Sequence, residues 1–114
     1  MFELNEESNV ERPKIGDKAI LVSINFNDIN HHENTEELSQ LSISAGFQVS
    51  EVVISKRQTP DARLFIGSGK AEELLLIKDA TEATTIIFNH ELTPSQERNL
   101  EKFLGLRVYD RTAL

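Results

Sequence analysis

The stretch with the clearest chemical potential is Gly67-Ser68-Gly69-Lys70, which follows the apolar trio Leu64-Phe65-Ile66 and precedes an apolar-striped helical pattern. Glycines let backbone N–H groups approach a ligand. A helix N-terminus carries partial positive charge, and Lys70 adds a full one, so the run can hold an anion. The same residues would also serve simply to turn a strand into a helix, with Lys70 in solvent. The P-loop pattern asks for a glycine five positions before the second glycine and for Ser or Thr after the lysine. Those positions hold Leu64 and Ala71, so no ordinary magnesium-nucleotide site follows. The dinucleotide pattern fails as well, because no third glycine follows Gly69 at the required offset.

A weaker candidate is the polar set Asn25, Asn89, His90 and Glu91, expected where strands end and ligands of open sheets collect. A metal needs several converging ligands. His31, His32 and His90 have no recognisable spacing, so no metal is expected. Glu91 and Asp110 have the chemistry for acid–base work, but nothing positions a nucleophile beside them, and no catalytic residue is assigned.

Charge sharpens the first candidate. The 114 residues carry a net charge of -7, which argues against coating nucleic acid by bulk charge. Residues 56–70 run the other way, with Lys56, Arg57, Arg63 and Lys70 against Asp61 alone. The one basic island thus coincides with the glycine-rich run, and the phosphate or RNA candidates are Lys56, Arg57, Arg63, Gly67, Ser68, Gly69 and Lys70. There is no cysteine, which excludes disulfide scaffolds and thiolate metal sites. No apolar run approaches the roughly 18 residues of a membrane span. Glu3, Glu6, Glu7 and Glu11 make the start acidic, unlike a secretory signal, and a cytoplasmic location is expected.

Positioning these residues requires an α/β fold. Residues 1–17 read as a flexible acidic lead-in, and 18–114 as one domain. Ala19 to Phe26 is nearly continuous apolar and branched, the mark of a strand buried on both faces and hence central in a parallel sheet. Asn27 to Glu33, with His31 and His32, reads as a loop. Asn34 or Thr35 would cap a helix burying Leu38, Leu41 and Ala45, stopped by Gly46. Phe47 to Ser55 reads as a second strand with Val52-Val53-Ile54 most buried. Leu64-Phe65-Ile66 reads as extended, and Ser68 as the cap of a helix to Ala80. Thr84 to Asn89 is a third strand. Thr93-Pro94-Ser95-Gln96 carries a capping box, opening a helix with Leu100, Phe103 and Leu104 inward and Gly105 at its end. Leu106 to Tyr109 is a short strand, expected at an edge. The sum is an open, mainly parallel four-stranded sheet with helices on both faces.

Three segments, taken together, resemble one family. They are Lys56-Arg57…Pro60-Asp61…Phe65-Ile66-Gly67-Ser68-Gly69-Lys70-Ala71-Glu72-Glu73-Leu74, Phe88 to Glu101 with its E-L-T-P-S-Q run, and Val108-Tyr109-Asp110-Arg111-Thr112. The sequence is similar, from about Lys18 onward, to the N-terminal domain of the HflX-type ribosome-associated GTPases. The resemblance implies a non-catalytic α/β domain, followed in the parent by a long helical pair and a Ras-like GTPase domain. The D-R-T run leads into that pair, so the chain is expected to stop where the pair starts. No Walker A, D-x-x-G or N-K-x-D motif is present, so GTP and Mg are expected only in the GTPase domain. The partners implied are the large ribosomal subunit and its RNA, with ribosome splitting or rescue under stress, and the parent's own helical and GTPase domains. Two other readings stand beside this one. They are a stand-alone phosphate-ligand or adenine-nucleotide binding domain, and a small α/β enzyme acting at the strand C-terminal ends.

Overall fold

A computed structural model describes residues 16–27 and 29–114. The lead-in therefore lies outside the described residues, apart from Gly16 and Asp17. Four strands, β1 (Lys18–Asn25), β2 (Gln48–Lys56), β3 (Thr85–Phe88) and β4 (Arg107–Asp110), form one parallel sheet in the order β2-β1-β3-β4. Three helices alternate with them: α1 (His31–Ser44), α2 (Ser68–Thr81) and α3 (Pro94–Leu104). A single 3-10 turn, Arg111–Ala113, follows β4.

Strand β1 is interior, as its apolar run requires, and Ala19 to Ile24 are all fully buried. Alternate residues feed two cores. Ile20, Val22 and Ile24 join Ile86, Phe88 and Val108 beneath Ala71 and Leu74 of α2 and Leu100 and Leu104 of α3. Ala19, Leu21 and Ile87 pack on the opposite face with Leu38 of α1 and Phe47. Helices thus cover both faces, and β4 lies at an edge. The register of β1 against β2 shifts between Ala19 and Ile20, where Ser50 is the extra residue.

Four local expectations need correction. The second strand is the other edge of the sheet, so only Val53 is buried, while Val52 and Ile54 are 39% and 56% exposed. Helix α1 begins at His31, within the expected loop, and its inward stripe is Thr35, Leu38 and Ser42. Leu41 and Ala45 lie off that stripe and are exposed. Residues 64–66 are buried but not extended. Phe65 has φ 69°, and the segment closes a tight loop through paired Asp61–Phe65 backbone bonds of 2.9 Å each. Finally, Gly67 rather than Ser68 is the N-cap of α2, and no side chain caps that end.

Helix α3 follows the expectation closely. Thr93 Oγ1 accepts from Gln96 N at 3.1 Å, and Gln96 Oε1 accepts from Thr93 N at 3.0 Å. Gly105 ends the helix with φ 70°.

Candidate functional site

The basic island is held by the loop that joins β2 to α2. Arg57 N donates to Asn25 O at 3.2 Å, extending the β1–β2 ladder by one residue. Its guanidinium then turns back into the loop, with Nε donating to Thr59 O at 3.0 Å and Nη1 to Ile66 O at 3.2 Å. Gly67 lies directly beneath it. A Cβ there would sit 2.7 Å from Arg57 Nη1. Arg57 is thereby fixed beside the uncapped N-terminus of α2, whose first turn contains no acidic residue.

Helix α3 braces the same loop from outside. Gln96 Nε2 donates to Asp61 O at 2.9 Å, and Asn99 Nδ2 donates to Arg63 O at 3.1 Å. Beneath the loop, the Phe65 ring meets Phe26 and Phe88 edge-on at 5.8 and 5.9 Å, and His90 at 5.3 Å. Lys70 at the start of α2 is paired with Glu73 at 2.7 Å. Such a pair, partly in solvent, contributes about 0.2–1 kcal/mol and gives way easily to a phosphate.

Asp61 is the loop's internal anchor. Its Oδ1 accepts from Leu64 N at 2.8 Å and Arg63 N at 2.9 Å. These two backbone donors, helped by the charges of Arg57 and Arg63, hold its pKa below the ordinary carboxylate value. A depressed folded-state pKa means the contribution is complete above the unfolded value and disappears as pH falls through the folded one. We expect the Leu64 amide to stay protected from hydrogen exchange at neutral pH and to lose protection only below about pH 3.8. Loss of protection already between pH 5 and 7 would contradict this anchor.

The strand-end set does not converge. Asn25 turns toward β2 and lines a cavity of about 250 Å³ with Asn27, Lys56, Arg57 and Gln58. His90 Nε2 accepts from Ile24 N at 2.9 Å, so its side chain continues the β1–β3 ladder beyond the backbone bond from Asn89 N to Val22 O. Glu91 faces solvent.

Asn89 enters a network that sequence reasoning missed. Its Nδ2 donates to Ser23 Oγ at 3.2 Å, and its Oδ1 accepts from Arg111 Nη1 at 2.9 Å. Arg111 Nη2 pairs with Glu37 at 2.7 Å. Thr35 donates its only hydroxyl proton to His31 O at 2.8 Å. The proton between Ser23 Oγ and Thr35 Oγ1, 2.8 Å apart, must then come from Ser23. His31 Nε2, 3.0 Å from the same Oγ, is consequently a donor. The one available signal was Ser23 itself, a lone hydroxyl within an apolar run. Ser23 is fully buried and hydrogen-bonded on all sides, so it serves structure, not attack on a substrate.

Among the described residues, no group of three His, Asp or Glu side chains is placed to hold a metal ion. Nor is any helix long and apolar enough to cross a membrane.

Solved structures share this architecture. The family of GTP-binding GTPase N-terminal domains matches residues 32–114. The chain belongs to that family. Curated relatives of this N-terminal domain include GTPase HflX of Escherichia coli strain K12, 39% identical over 91% of this chain and 24% of the relative. GTPase HflX of Chlamydia pneumoniae is 45% identical over 72% of this chain and 18% of its own length. The chain spans between 18% and 30% of the length of the curated relatives it matches. Among solved structures, the crystal structure of an SsGBP and GDP complex superposes with a TM-score of 0.62 at 24% identity, over 85% of this chain and 26% of that one. At that identity the likeness concerns the fold. The resemblance to HflX-type N-terminal domains thus stands on a family match as well as on motifs.

Proposed function

We propose that this domain is the non-catalytic docking part of an HflX-like GTPase, and that it grips RNA of the large ribosomal subunit. GTP hydrolysis and its Mg would belong to the remaining three-quarters of such a protein, in the cytoplasm, and ribosome splitting or rescue under stress would be the parent's task. The observation that carries the reading is the fixing of Arg57 beside Gly67, where guanidinium, uncapped helix N-terminus and nearby lysines share one end of α2.

Magnitudes favour a polyanion over a free nucleotide. A helix N-terminus contributes roughly 0.3–1 kcal/mol to anion binding, and up to about 2 when partly buried. Micromolar affinity needs roughly 8 kcal/mol. A few exposed cations do not close that gap on one small ligand, whereas an RNA backbone repeats its phosphates across the whole island. The net charge of -7 would repel RNA elsewhere, which makes docking oriented.

The experiment is large-subunit binding measured across salt concentrations with Lys56, Arg57, Arg63 and Lys70 all changed to Ala, the fold being checked by thermal melting. Each lost phosphate contact should lower the magnitude of the salt slope by about 0.7–0.9. An unchanged slope would make the island a solvated face and move docking to other parts of the protein.

A further inference from the structure

We infer that the cavity beyond the ends of β1 and β2 takes one unpaired ribonucleotide of an RNA. Lys56 and Arg57 would meet its phosphate, and the amides of Asn27 and Gln58 its base edge. The inference rests on the RNA-docking reading and names what part of an RNA that surface selects.

Topology supplies the first reason. Ligands of open parallel sheets collect beyond the strand C-termini, at the point where strand order reverses. In the order β2-β1-β3-β4 that point lies between β1 and β3. Here it is filled from within. Ser23, Thr35, His31, Asn89 and Arg111 satisfy one another there. The next crevice along the same edge, between β1 and β2, is open, with a volume of about 250 Å³.

The lining supplies the second reason. Among the described residues, its lining is Asn25, Asn27, Lys56, Arg57 and Gln58, which provide two cations and three amides. Cations suit a phosphate. An amide offers both a donor and an acceptor, the combination that reads the hydrogen-bonding edge of a base or a ribose hydroxyl. Asn27 and Gln58 are exposed at the mouth.

The recess is also preformed. Arg57 is pinned by Thr59 O and Ile66 O. Asn27 is held at φ 76° while its N–H donates to Asn25 Oδ1 at 2.8 Å. Paired RNA keeps its major-groove base edges in a deep, narrow groove that side chains do not enter and offers a shallow minor groove read mostly by shape, whereas an unpaired nucleotide can be turned out into a recess. A concave site lined by amides therefore discriminates for unpaired RNA, which a flat basic patch does not.

The test uses the full 114-residue chain and two labelled RNAs of equal phosphate count, a hairpin with an unpaired loop and a fully paired duplex. Binding is followed by fluorescence anisotropy across salt concentrations. We expect the hairpin to bind about tenfold more tightly, the worth of one or two amide hydrogen bonds. The double variant Asn27→Gly, Gln58→Ala should erase that preference and leave the salt slope unchanged; glycine keeps the left-handed backbone at position 27. Lys56→Ala should weaken both RNAs alike and lower the slope. Equal binding of hairpin and duplex with a slope that still falls in Lys56→Ala would overturn the nucleotide site and leave RNA docking standing. No salt-dependent binding of either RNA would remove the docking reading and the site together. Adenosine monophosphate binding more tightly than the hairpin would replace the site with one for a free nucleotide.

Discussion

Replacing Gly67 with Ala should unfold this domain at a temperature about 10–20 °C lower, corresponding to a loss of about 2–4 kcal/mol. Two costs combine. Gly67 has φ 82° and ψ 159°, a region that only glycine enters readily. The new Cβ would also displace Arg57 Nη1 from 2.7 Å away, breaking its bond to Ile66 O. Gly69, two residues on, is the control. A Cβ there meets nothing within 4 Å, and its backbone is helical. Gly69→Ala should raise stability by about 0.5–1 kcal/mol through reduced freedom of the unfolded chain. Differential scanning calorimetry of the two variants gives opposite signs if this account holds. Equal effects at both positions would mean that the Gly67 backbone is not constrained as described.

The second large effect belongs to Phe65. Truncation to Ala should cost about 3–5 kcal/mol, read as a shift of the urea midpoint at constant slope. The ring is only 5% exposed and sits among Phe26, Phe88 and His90. It is held with φ 69°, a conformation that costs a non-glycine residue roughly 1–2 kcal/mol. Packing therefore outweighs backbone strain, and Phe65→Gly should be less damaging than Phe65→Ala by about that strain. Because Phe65 N and O both bond Asp61, the variant should also release the Asp61–Leu64 hydrogen bond. A loss below about 1 kcal/mol would mean that the loop carries its own order independently of the aromatic cluster.

What could be read from sequence divides by range. Helix α3 was legible because its signals are three residues apart, as Thr93 and Gln96 show. Strand β1 was legible because a continuous apolar run has few other uses. The similar run at Val52-Val53-Ile54 misled, since branched residues suit a pleated, half-buried surface and an edge strand can carry them without burying them all. The flanking Glu51 and Lys56 were the available hint. The loop over residues 61–66 was opaque because Arg57, Gln96 and Asn99 shape it from 9 to 36 positions away. Of the candidate site, the charge pattern was visible, but the way Arg57 is pinned to Ile66 was not. The network joining Ser23 to Asn89 spans 66 positions, and its one local trace was Ser23, a lone hydroxyl within an apolar run.

Gln96 illustrates why two residues that look interchangeable at a helix start are not so here. For the capping box alone, Glu would serve as well as Gln, since either supplies an oxygen to the Thr93 amide. The other end of the Gln96 amide is a donor, however, and it is spent on the carbonyl of Asp61, 35 positions earlier. A carboxylate would point a second acceptor at that carbonyl and set two lone pairs against each other. A Gln-to-Glu exchange at this position would therefore be silent for the helix and audible in the basic loop.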